Sequence, residues 1–133
     1  VKRAEALQPL SREHHQALHM AKRLRDQPPE EVVDDFTLFW KDQGIEHFRL
    51  EEEVLVPASG LPDDHEMVRR LMREHREITA MAEAVGPGSK NESIRLLGEA
   101  LTAHVRFEER ELFPLIESTL DESELSALAS RLA

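Results

Sequence analysis

Two stretches of this chain repeat the same metal-competent groups at the same spacing. His47-Phe48-Arg49-Leu50-Glu51-Glu52-Glu53-Val54-Leu55-Val56-Pro57 is echoed by His104-Val105-Arg106-Phe107-Glu108-Glu109-Arg110-Glu111-Leu112-Phe113-Pro114. Counted from the His, both copies place Arg at +2, an apolar residue at +3, Glu at +4 and +5, Leu at +8 and Pro at +10. A shorter echo lies upstream of each copy, Arg12-Glu13-His14 before the first and Arg73-Glu74-His75 before the second. In an α-helix, positions i and i+4 stand one above the other, so His47/Glu51 and His104/Glu108 can each address one point in space. A metal ion needs that spacing from two ligands on one helix.

Inward side chains from four helices at one level can surround a pair of metals. If both carboxylates bridge, Glu51 and Glu108 contribute to each metal, while His14, His47, His75 and His104 are shared out two per metal. Positions then remain for a bridging hydroxide or oxide and for a small exogenous molecule. Imidazole with carboxylate suits Fe, Mn or Zn by ligand type. A single His/Glu pair at this spacing is most often a solvated ion pair. Here the pair occurs twice in matching context on apolar stripes, each preceded by another inward His, and six such groups in a core would be costly without partners. His15 sits beside His14 and competes for the first-helix role, although the matching Arg-Glu-His triplet supports His14. His19 and His65 read as surface residues. Glu52 and Glu109 are either acceptors for the ligand imidazoles or, as their acidic surroundings favour, part of a solvated face. Arg49 and Arg106 read as surface ion-pair partners.

Composition narrows the partners. The chain has 133 residues, 40% hydrophobic and 33% charged, as expected for one globular domain over residues 1–133. Its formal charge of −10 argues against nucleic acid and anionic membranes, and bound cations would offset part of it. No apolar run approaches the ~18 residues of a membrane span, and the start of the chain is too polar for a signal peptide, so a soluble, cytoplasmic protein is expected. There is no Cys, so any metal must be held by nitrogen and oxygen. No nucleophile triad, phosphate loop or nucleotide motif is visible.

Four long amphipathic stretches must position these groups. The first runs from Ser11, a plausible N-cap, to about Asp26, with Gln27-Pro28-Pro29 turning the chain. The second starts near Glu30, carries Phe36, Phe39, Trp40, Gln43, His47, Leu50, Glu51 and Val54 inward, and is stopped by Pro57 and the Ala58-Ser59-Gly60 turn. Gly44, one turn before His47, costs ~1 kcal/mol relative to Ala in a helix interior, so space is needed there. Pro62 is placed as the first residue of the third helix, which holds Leu71, His75 and Ile78 inward and ends before Gly86-Pro87-Gly88. The fourth begins between Ser89 and Ser93 and carries Leu97, Leu101, His104, Phe107, Glu108 and Leu112, with Pro114 bending or ending it. Asp121 and Glu124 resemble a capping box that opens a short fifth helix. The fold expected is all-α: an up-down-up-down antiparallel four-helix bundle with a short C-terminal fifth helix.

The set of His14, His47-x3-Glu51, His75 and His104-x3-Glu108, with its Glu-Glu doublets and apolar-Pro endings, resembles the hemerythrin-like family, or HHE cation-binding domains, over about residues 10 to 117. The resemblance implies a four-helix bundle with a non-haem di-iron centre, two iron ions joined by an oxo or hydroxo bridge, held by those six residues. The chain departs from the oxygen-carrying hemerythrins in having Thr79 four residues after His75, where they carry a second His. It also has Glu108 at the HHE spacing, whereas they carry Asp one residue later, where Glu109 stands. Fewer imidazoles argue against simple reversible oxygen carriage. The leading expectation is a di-iron protein that binds or reacts with dioxygen, nitric oxide or hydrogen peroxide, in sensing, detoxification or iron repair. Its rivals are a non-enzymatic module that stores or delivers iron or carries a structural or regulatory metal, and a metal-free helical interaction domain.

Overall fold

The computed structural model describes residues 2–133, and the described residues form helices joined by turns, with no strand. The first helix is Gln8–Asp26, entered through a tight turn at Glu5–Leu7. It starts earlier than Ser11: Pro9 lies within the first two positions, where its missing N–H has no helical partner to lose, and the Ser11 hydroxyl instead donates to Glu109 Oε2 at 2.7 Å. The second helix is continuous over residues 29–59, the third is Glu66–Glu83, the fourth is continuous over residues 91–119, and the fifth is Glu122–Leu132. Asp121 opens the fifth through the expected reciprocal cap with Glu124.

Pro57 and Pro114 do not stop their helices. Each follows a widened π-helical turn, Glu51–Leu55 or Glu108–Leu112, in which Val56 N–H and Phe113 N–H reach back five residues to the carbonyls of Glu51 and Glu108. A proline ring clashes with the carbonyl four residues behind it, and a wider turn moves that carbonyl aside. The second helix therefore runs on to Gly60, whose φ of 75° ends it. Pro62 is not the first residue of the third helix either. It sits in a turn whose carbonyl accepts from His65 N–H, and the His65 side chain caps the helix by accepting from Met67 N–H at 3.1 Å.

The apolar stripes pack into two core clusters. One holds Leu10, Leu55, Leu71, Leu112 and Phe113, and is covered by Leu128 and Leu132 of the fifth helix. The other holds Ala21, Leu24, Phe36, Trp40, Ile78 and Leu97. Between them each long helix changes from apolar to polar at one level: His14 separates Leu10 from Ala17, and His75 separates Leu71 from Ile78. The first and fourth helices run antiparallel, with Ala21 opposite Gly98 and His14 opposite Glu108. Their backbones approach closely at Gly98, where a Cβ would lie 2.7 Å from the Ala21 carbonyl oxygen and 3.0 Å from Leu24 Cβ. Helix propensity favours Ala over Gly by ~1 kcal/mol, but a backbone oxygen cannot swing away as a side chain can. Gly98→Ala is expected to lower the unfolding free energy by about 1–3 kcal/mol in urea titration. Gly86→Ala, with nothing within 4 Å of the added carbon, should leave it nearly unchanged.

Candidate metal centre

The polar level between the cores contains the six residues singled out by spacing, all buried, from 0% exposure for Glu51 and Glu108 to 8% for His47. His14 rather than His15 turns inward, and His15 is exposed. Each carboxylate is divided between two groups of imidazoles. Glu51 Oε2 lies 3.0 Å from His47 Nε2 and 3.7 Å from His14 Nε2, while its Oε1 lies 2.9 Å from His75 Nε2. Glu108 Oε1 lies 2.7 Å from His14 Nε2, and its Oε2 is 3.0 Å from His104 Nε2 and 3.7 Å from His75 Nε2. The result is two four-residue groups that share both carboxylates: His14, His47, Glu51 and Glu108, and Glu51, His75, His104 and Glu108. Within each group the donor atoms lie within 4.8 Å of one another.

These atoms are better suited to a cation than to one another. His104 Nε2 and Glu108 Oε2 are close, yet neither makes a hydrogen bond, which leaves two buried polar atoms orphaned. His14 Nε2 and His47 Nε2 meet at 3.2 Å, although only one proton fits between two ring nitrogens. Nitrogen and carboxylate oxygen donors that converge in a dry interior fit a transition metal of borderline hardness.

Every imidazole presents Nε2 to this centre and is held from behind at Nδ1 by a further glutamate. Glu109 Oε2 lies 2.6 Å from His14 Nδ1, Glu13 Oε1 2.7 Å from His47 Nδ1, Glu52 Oε2 2.6 Å from His75 Nδ1, and Glu74 Oε1 2.8 Å from His104 Nδ1. The four contacts close a ring around the bundle, since the first helix holds the second, the second the third, the third the fourth, and the fourth the first. Glu52 and Glu109 are therefore imidazole acceptors rather than members of a solvated face. Sequence reasoning missed Glu13 and Glu74, although both stand inside the echoed Arg-Glu-His triplets, which were the available signal. Arg3 braces Glu109 at 3.1 Å, and Arg49 pairs with Glu46 on the surface as expected. Among the described residues Arg106 is exposed and makes no ion pair, contrary to expectation.

Aromatic rings fix the imidazole planes. Phe48 stacks on His75 with centroids 3.7 Å apart and planes 7° apart, and Phe113 stacks on His14 at 5.2 Å. Beside His14, His47 and His104 lies a cavity of about 30 Å³, lined mainly by apolar groups including Ala17, Phe39, Trp40, Phe48 and Leu101. Gly44 makes room there as expected: a Cβ would lie 2.3 Å from Trp40 Cε3, so glycine lets the indole fold back against its own helix.

All-helical architecture around a buried His/Glu centre defines a helical metal-binding protein. The chain matches the hemerythrin HHE cation-binding domain over residues 5–116, and it belongs to that family. Comparison with curated proteins and with solved structures yields no match.

Without a cation, protons must supply the missing positive charge. Burial disfavours the charged imidazoles, but the hydrogen bonds His14 donates to Glu108 and Glu109, with the nearby Glu51 carboxylate, outweigh it and push its pKa up to about 12. The opposing burial is likewise overcome at His47, raised to about 9 chiefly by the Glu51 charge, and at His75, raised to about 10 by the nearby Glu108 and Glu51 carboxylates. Burial pushes Glu108 toward protonation, yet the adjacent His104 holds it well below the carboxylate range, and His14 holds Glu109 at about 2 against the same opposition. A raised imidazole pKa stabilises the fold fully below its ordinary value of 6.5, and the gain is lost as pH rises through the folded value. A depressed carboxylate stabilises it above 4.5, and that gain is lost as pH falls toward the folded value. The metal-free chain is therefore expected to melt highest between about pH 4.5 and 6.5, and to lose Tm progressively as pH rises from there through about 9 and as it falls toward 2. Thermal melts across pH with a chelator present check this, and a Tm flat from pH 6 to 11 would contradict it.

Proposed function

We propose that this chain is a non-haem di-iron protein that binds or reacts with a small ligand of the dioxygen, nitric oxide or peroxide class. The first four helices, running alternately up and down as their short connections require, carry the donors to one level. His14 and His47, with one oxygen from each of Glu51 and Glu108, would hold one ion, and His75 and His104, with the remaining oxygens, the other. Bound iron supplies one-electron chemistry and open coordination positions.

The protein's own groups have three tasks. The glutamates at Nδ1 fix each imidazole with its proton on that nitrogen, leaving the Nε2 lone pair free to donate to a metal. The stacked Phe48 and Phe113 rings restrain the imidazole planes. Apolar walls around the cavity exclude hydrated ions, because an ion entering there must shed its water without replacement contacts. The observation that carries the reading is this cavity, which lies directly against three of the imidazoles and has room for a molecule of only a few atoms.

Anaerobic titration with Fe(II) is expected to saturate at two ions per chain. Removing the shared carboxylate in Glu108→Ala should weaken both sites, and Glu74→Ala should lower affinity by about 10–100-fold through His104 alone. Because the imidazoles are protonated in the metal-free state, uptake at neutral pH should release protons and affinity should rise with pH. Saturation at one ion, or a Glu108→Ala titration superimposable on the parent, would overturn the assignment.

A further inference from the structure

The cavity beside His14, His47 and His104 has a near neighbour on the surface. A groove between the first and second helices is lined by His15, His19, Asp35 and Asp42 among others. Phe39 and Gln43 line both the groove and the cavity, so these two side chains, one turn apart on the second helix, stand between solvent and the interior space. Neither is held by a hydrogen bond, although Phe39 packs at the edge of the core. Gln43 makes no side-chain hydrogen bond among the described residues, and its Oε1 is buried without a partner. Phe39 meets Phe36 at a tilted 6.0 Å contact between centroids. Both can change rotamer without breaking a hydrogen bond, a motion that occurs on fast side-chain timescales. Phe113 covers one face of His14 and Phe48 one face of His75, while the groove that reaches His75 from the surface beside Glu52 and Thr79 shares no lining residue with the cavity.

We propose that Phe39 and Gln43 form a two-residue filter through which a neutral, weakly hydrated ligand passes from this groove into the cavity. The filter rests on the reading of the cavity as the ligand site. It selects by size, because two side chains must part, and by hydration, because an anion would lose its water against apolar walls. The carboxylate of Asp42 at the outer mouth adds to the exclusion of anions, whereas Asp35 and Arg23 offset each other as a pair at 2.8 Å.

Trp40 is the single Trp of the chain and lines the cavity, so its emission reports access directly. The test is lifetime quenching of Trp40 in the full chain with zinc added, zinc being redox-inert, using dissolved dioxygen as the neutral quencher and iodide as the anionic one. Phe39→Ala and Gln43→Ala should each raise the oxygen quenching constant by about twofold or more, and Gln43→Phe should lower it by about half. Ile45→Ala, exposed on the same helix and lining neither the groove nor the cavity, should leave it unchanged, and iodide should quench weakly in the parent chain. Equal oxygen quenching in the parent and both alanine variants, an equal rise in Ile45→Ala, or strong iodide quenching of the parent overturns the filter. Opposite shifts in the alanine and phenylalanine variants separate a filter from general loosening, which circular dichroism checks independently. Zinc stoichiometry on the same samples keeps the two readings apart. Zinc bound without the expected access pattern removes the filter alone, whereas the access pattern without bound zinc removes the metal reading alone.

Discussion

Everything in this fold is arranged around carboxylates and imidazoles held out of water. An ionised carboxylate moved into an apolar interior without a partner is prohibitively costly, yet Glu51 and Glu108 have no exposed surface at all. Their compensation has to come from cations or protons at the same place. Six carboxylates and four imidazoles meet there, and either protons on the rings or a cation among them would offset part of that negative charge. Protons and a metal ion would therefore compete for this centre. The ring of glutamates at Nδ1 serves either state, accepting a hydrogen bond whether Nε2 carries a proton or faces a metal.

The two π turns show how the helices accommodate this level. Both begin at the central glutamates, immediately after the His-x3-Glu pairs, and both precede the repeated prolines. The duplicated sequence therefore produces a duplicated deviation from α-helical geometry, placed directly against the site, as π turns often are. A third lies at Trp40–Gly44, beside the cavity. It is there that the two halves differ most: the second helix opens a space with Gly44 and a folded-back indole, whereas the fourth has Leu101 and Val105 in the cavity wall. The pseudo-symmetric donors thus sit in asymmetric surroundings.

Helical periodicity made most of the architecture legible in the sequence, because a buried stripe repeats every three or four residues whatever it packs against. It also placed all six central residues, since His-x3-Glu spacing and inward registration are properties of a single helix. The supporting glutamates were harder to read. Glu13 and Glu74 each hold an imidazole on the next helix, so their role depends on packing order, and their place at the stripe edge looks like an ordinary acidic surface. Proline was misleading for a local reason. At Pro57 and Pro114 a wider turn absorbs the steric conflict, and at Pro62 a turn stabilised by His65 takes precedence over the helix start. The cavity has no sequence signature beyond Gly44, because its walls come from three helices.

The central claim is that two metal ions lie between Glu51 and Glu108, each completed by its own pair of histidines. The most direct measurement is an anomalous difference map at the iron absorption edge, from crystals of the chain reconstituted anaerobically with Fe(II). The account requires two peaks, one among His14, His47, Glu51 and Glu108 and the other among Glu51, His75, His104 and Glu108. A single peak, or iron found only on surface carboxylates with the central side chains contacting one another, would contradict it.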